Sequence, residues 1–171
     1  MPASTASTPR RLRPVLFALS LPLVLGTAWL TGSAWGHGDT APQPVDTGKL
    51  PKLGTETWLA SDPFRTGEHR DEALEVGARG YNANCARCHG LEAVSGGIAP
   101  DLRKFDEECS GYADAAKKKV CFQEMDDFYA GTVRRGRTRD GRVYMPPFEG
   151  TLTQEAVWAI RTYLEERRAQ Q

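Results

Sequence analysis

Cys85-Ala86-Arg87-Cys88-His89 constrains this chain more than any other stretch. Two thiols three positions apart at the end of a helix lie on one face, and an imidazole follows at once. Each thiol can add to one vinyl group of a porphyrin, giving two thioether bonds, while His89 is held under the ring to take one axial position on the iron. The other ring nitrogen of His89 should donate to a nearby carbonyl, which fixes the tautomer and tunes the basicity of the ligand. The run is the attachment signature of a c-type haem, and it occurs once, so one covalent haem c is expected. A redox dithiol would need a strand feeding the motif, whereas a helical pattern precedes it. A zinc site would need two more ligands at ribbon or finger spacing, and the remaining cysteines, Cys109 and Cys121, do not supply them.

Function then turns on the other face of the iron. An open position permits ligand binding or peroxide chemistry, and a filled one leaves electron transfer. Met145 sits in Tyr144-Met145-Pro146-Pro147-Phe148, where two prolines stiffen an extended loop and present the thioether as the second axial ligand. Met125 falls on the helical stripe Met125, Phe128, Tyr129, Thr132 and reads as core. His69 opens a helix and His37 stands near the mature N-terminus, and both read as solvated surface.

From about Glu68 to the C-terminus the chain resembles the class I cytochromes c. The likeness rests on Gly77 and Tyr81 ahead of the Cys-x-x-Cys-His run, then Gly97-Ile98-Ala99-Pro100-Asp101-Leu102, then Met145-Pro146-Pro147, then a closing helix with Ile160 and Tyr163. The resemblance implies an all-α class I cytochrome c fold, helices wrapped around one haem. It also implies that Pro100 supplies the carbonyl to His89 and that Leu102 packs on the ring. The segments 88–97, 145–150 and 154–161, with the extra cysteine pair and His37-Gly38-Asp39, are similar to the soluble cytochromes that accept electrons from periplasmic quinoprotein alcohol dehydrogenases using pyrroloquinoline quinone. That resemblance implies such a dehydrogenase as donor and a terminal oxidase or another cytochrome as acceptor.

Arg10, Arg11 and Arg13 precede an apolar run from Val15 to Leu30, followed by small residues and a cut after Ala34 or Gly36. Residues 1–36 thus read as a secretory signal, placing the protein in the periplasm. The run is short for a membrane span and contains Pro22, so no stable span is expected after cleavage. The Arg10-Arg11 pair hints at twin-arginine export, but its surroundings fit that motif poorly. Without residues 1–36 the chain keeps 19 basic and 22 acidic side chains, a formal charge of −3. Nucleic acid is therefore not an expected partner, and a monomer is the expected form. In an oxidising compartment Cys109 and Cys121 are expected to join, the alternative being two free buried thiols. The closed loop would stabilise the fold by roughly 3 kcal/mol.

Residues 37–67, rich in Pro, Gly and Thr, read as an extended N-terminal arm, and Trp58, Leu59 and Phe64 favour an arm that packs. The cytochrome domain is placed at 68–171, with 104–122 a disulfide-closed insertion. Leu74, Gly77, Ala78, Tyr81 and Cys85 follow helical spacing. A glycine there points to close approach of another helix, or else to a kink. A third helix is placed over Asp126 to Arg135, ending near Gly136. The closing helix starts at Thr153, a suitable N-cap, with the stripe Ala156, Val157, Ile160, Tyr163, Leu164. No β-rich segment is evident. Asp106-Glu107-Glu108 and Asp126-Asp127 read as solubilising charge. Arg134, Arg135, Arg137, Arg139 and Arg142 place positive charge beside Met145, either as a solvated loop or to steer an acidic redox partner. The chain thus reads as an electron-transfer protein, not an enzyme. The rival readings are a general shuttle toward a terminal oxidase, and a small haem peroxidase or gas sensor, which needs a vacant sixth position.

Overall fold

The computed structural model describes residues 41–171; the signal segment and His37 lie outside the described residues. Five helices carry the fold: α1 (Arg70–Asn84), α2 (Ala86–His89), α3 (Glu107–Ser110), α4 (Ala115–Arg135) and α5 (Gln154–Ala169), with a hairpin of β1 (Arg137–Arg139) and β2 (Arg142–Met145) between the last two. Among the described residues no helix is long and apolar enough to cross a membrane.

Helix α5 is the spine. Thr153 caps it, its hydroxyl accepting from Ala156 N at 3.3 Å, and Ala156, Val157, Ile160, Tyr163 and Leu164 are all buried. Trp158 on another face is buried too, because the irregular segment 41–69 covers that side. Gln154 and Glu155 accept from the backbone N–H groups of Leu59 at 2.7 Å and Leu53 at 2.8 Å, so polar side chains at the start of α5 satisfy a segment with no ladder of its own. Phe64 and Leu50 close the layer, while Leu59 stays exposed and Trp58 half-buried.

Helix α1 crosses α5 at Gly77. A Cβ there would stand 2.6 Å from the Ala159 carbonyl carbon and 2.9 Å from Tyr163 Cβ, so the backbones touch only because position 77 lacks a side chain. The buried face of α1 is Ala73, Val76, Gly77, Gly80, Tyr81 and Asn84, one step round from the Leu74 stripe the sequence suggests. Leu74 is half-buried. Small residues set the closest contact, so they and not the leucine define the face. Gly77→Ala must force the two helices apart, and urea titration should show a loss of about 1–3 kcal/mol. Unchanged stability would contradict the tight crossing.

Three expectations are corrected. The third helix begins at Ala115, not Asp126, because Asp114 caps it, accepting from Lys117 N at 2.8 Å. The helix-dominated fold also carries one short hairpin where no strand is expected: Asp140 and Gly141, at φ 52° and 73°, form a two-residue turn that suits its twist. The acidic runs are not merely solubilising. Asp106 and Asp126 are buried against Arg161, whose Nε donates to Asp126 at 2.9 Å, with Arg65 joining the same carboxylate at 2.7 Å. The Cys109–Cys121 disulfide ties α3 to α4, with the two Cα atoms 5.5 Å apart.

Asp62 joins this lattice from the N-terminal segment. Its carboxylate accepts from Phe64 N at 2.9 Å and from the Thr162 hydroxyl at 2.8 Å, while its own N–H donates to Asp126 at 3.0 Å. Burial raises Asp62 to about 7, and the neighbouring Glu165 charge adds to the effect against Phe64, Thr162 and Arg65. The folded state therefore holds a proton that the unfolded chain has released, so this stabilisation is full below the ordinary value of 3.8 and is lost as pH rises through about 7. Asp62→Asn mimics the protonated acid. Its stability relative to the unsubstituted protein should rise by about 1 kcal/mol per pH unit inside that window, measured by urea unfolding from pH 4 to 8. A pH-independent difference would refute the assignment.

Candidate functional site

The end of α1 and the whole of α2 make one tight turn. Cys85 N donates to Tyr81 O at 2.8 Å, and Cys88 N and His89 N both donate to Cys85 O, at 3.1 and 2.9 Å. The turn brings Cys85, Cys88 and His89 to the wall of a single cavity of about 300 Å³. Pro100, Leu102 and Met145 line the same cavity, so the structure gathers all six residues singled out from the sequence. Cys85 and Cys88 are not joined to one another.

His89 Nδ1 lies 2.9 Å from Pro100 O, which makes Nε2 the nitrogen left to bind a metal. The carbonyl is held by a closed loop in which Gly97 N donates to the Ser95 hydroxyl at 3.0 Å and that hydroxyl meets Ala99 O. Burial holds His89 below its ordinary value, although the Pro100 bond acts the other way, and so favours the neutral imidazole. Desolvation pushes the Cys85 thiol up to about 12, with Cys88 adding to it.

Met145 ends β2 and is half-buried. The chain beyond it is pinned to the end of α4, where Phe148 N donates to Val133 O at 3.0 Å and Glu149 N to Arg134 O at 3.2 Å. Prolines 146 and 147 have no N–H to offer, and those two bonds start where the prolines stop. Met125 is half-buried beside α3, borders a separate hollow with Glu108 and Tyr112, and is not part of the cavity wall. His69 is partly exposed next to Glu68, at 3.4 Å.

Asn84, Tyr129, Phe148 and Leu152 belong to the wall and were not singled out as site residues from the sequence. Asn84 clamps Gln43, accepting from its N–H at 2.7 Å and donating to its carbonyl at 3.1 Å. No spacing signals a bond over that separation. Phe148 and Leu152 could have been found, since they follow the Pro-Pro pair as the first apolar residues.

The wall is apolar apart from two thiols, an imidazole, a thioether and a few polar groups at its edge, among them the Arg137 guanidinium. That donor set fits a flat iron porphyrin: thiols for covalent attachment, nitrogen and sulfur for iron, and a cation for carboxylates. A small helical protein with such a cavity is of the covalent haem-binding class.

Comparison with known proteins agrees. The family profile described as "Cytochrome C oxidase, cbb3-type, subunit III" matches residues 72–164. Cytochrome c550 of Pseudomonas aeruginosa is 46% identical over 145 residues, covering 84% of this chain and 89% of the relative. The quinohemoprotein alcohol dehydrogenase ADH-IIG of Pseudomonas putida is 33% identical over 129 residues, 75% of this chain but 13% of the relative. Its counterpart ADH IIB is 30% identical over 96 residues, 56% of this chain and 11% of the relative. No solved structure matches. The chain belongs to the cytochrome c family, whose members bind haem c covalently, and it is an electron-transfer protein rather than an enzyme.

Proposed function

We propose that the chain is a periplasmic, monomeric monohaem carrier in which Cys85 and Cys88 fasten the haem and His89 and Met145 ligate its iron. The single observation that carries this reading is the convergence of these four side chains on one apolar cavity. The haem, when bound, gains and loses one electron at its iron. The chain's own residues do the rest. Pro100 orients His89 and keeps its ligating nitrogen neutral, Leu102 and Phe148 exclude water, and the Met145 thioether favours the reduced state, giving a relatively high potential.

The donor in this reading is a quinoprotein alcohol dehydrogenase using pyrroloquinoline quinone, and the acceptor is a terminal oxidase or another cytochrome. Support for the donor comes from the two quinohemoprotein alcohol dehydrogenases, in which a segment similar to this chain forms a small share of a much longer polypeptide. A separate chain of the same kind suits the same exchange between molecules. Residues 1–36 are the export signal in this reading, 37–67 the arm, and 68–171 the domain with its 104–122 insertion.

Stopped-flow mixing of the oxidised protein with an alcohol-reduced quinoprotein dehydrogenase should show rapid, second-order reduction. No reduction beyond the rate seen with unrelated reduced flavoproteins would end the donor assignment.

A further inference from the structure

Around the cavity mouth the surface is both apolar and basic. Ile98, Val143 and Tyr144 are 83%, 65% and 59% exposed, and Ile98 and Tyr144 also line the cavity. Arg139 and Arg142 pair across the β1–β2 hairpin, so they share a face with Tyr144 two positions on. The Arg139 guanidinium stacks 4.8 Å from the Tyr144 ring and donates to its hydroxyl at 3.0 Å. That bond preorganises the pair.

The hairpin cations are poorly neutralised. Among the described residues Arg135, Arg137 and Arg142 have no ion pair, and the Asp140 contact to Arg139 is long, 3.7 Å, and fully in solvent. Arginines packed around α5 behave differently: Arg65, Arg70, Arg161, Arg167 and Arg168 each meet a carboxylate. From 134 to 149 five arginines face two acids, Asp140 and Glu149, in a protein whose acids outnumber its bases once the leader is gone. The molecule therefore carries a positive end at the cavity mouth. A field of that kind orients an approaching anionic surface, and Arg and Tyr are the side chains most used to anchor contacts.

We propose that the outer face of the β1–β2 hairpin, centred on Arg139, Arg142 and Tyr144, is the surface on which an acidic patch of the electron-donating dehydrogenase docks. This rests on the donor reading above. Contact there brings the donor against residues that also line the cavity, so electron entry needs no further rearrangement.

The test compares R139E/R142E with K118E/K119E, the same charge change near the N-terminus of α4, where acidic side chains suit the helix terminus. The probe is an alcohol-reduced quinoprotein dehydrogenase. At low salt the hairpin variant should react at least about tenfold more slowly, with a flattened salt dependence, while the lysine variant stays within about twofold of the unsubstituted protein. Equal rates for R139E/R142E and the unsubstituted protein would overturn the docking surface while leaving the donor reading intact. A comparable loss in K118E/K119E would do the same. Failure of the unsubstituted protein to react would remove the donor and the surface together. Binding to phosphatidylglycerol vesicles, or self-association, that is lost in R139E/R142E while its rate is unchanged would assign the face to lipid or to a second copy and overturn the proposal.

Discussion

Met145→Ala is expected to open the iron and to lower its potential. The thioether is held from β2 on the wall that also carries His89, and the prolines behind it leave the loop little freedom to offer a substitute. With alanine, carbon monoxide should bind the reduced protein within the mixing time, whereas the unsubstituted protein should resist it. The potential should fall by a sizeable part of the roughly 0.8 V that axial ligands span in haem proteins. Met125→Ala should alter neither, since Met125 borders the separate hollow beside α3. Unchanged ligand binding and potential in Met145→Ala would remove the methionine from the iron.

Arg161→Leu is expected to cost about 3–5 kcal/mol, the largest loss of stability from a single change. The side chain is 1% exposed and donates to Asp126 at 2.9 Å, and its other end meets Asp106 and lies 3.1 Å from Glu165. Burial alone would raise Asp106, but Arg161 and Arg168 hold it below its ordinary value. Without Arg161, Asp126 keeps only Arg65 and Asp106 only Arg168, both partly exposed, so the buried carboxylates are left under-compensated. The same guanidinium lies 5.5 and 5.8 Å from the Phe105 and Tyr129 ring centres, which belong to the cavity wall, so the variant should also lose haem more readily. Denaturant titration by circular dichroism reads the first effect. Adding Asp106→Asn and Asp126→Asn should recover part of it, and a loss under 1 kcal/mol in the single variant would refute the buried pairing.

Much of this arrangement was legible because its signals are local. The paired thiols and histidine occupy five consecutive positions, Met145 is marked by the prolines behind it, and α5 shows an unbroken apolar stripe after a threonine cap. The charged lattice was not legible for the opposite reason. Asp106, Asp126 and Arg161 are far apart in sequence, and both acids stand beside other acids, so nothing nearby distinguishes these buried carboxylates from solvated ones. Helix α4 was read eleven residues short because three lysines and Cys121 blur its periodicity, although Asp114 marks its start. Three of the seven hairpin strand residues are arginine, which hides a turn that Asp140-Gly141 announces.

The most direct measurement of the central claim is the proton NMR spectrum of the reduced protein. When a methionine sulfur ligates haem iron, the methyl group on that sulfur lies within the ring current of the porphyrin, and its signal is shifted far upfield of every other protein signal. The expected result is one such methyl resonance, absent from Met145→Ala and retained in Met125→Ala. A reduced spectrum without it, or one in which it survives the loss of Met145, would contradict ligation by His89 and Met145.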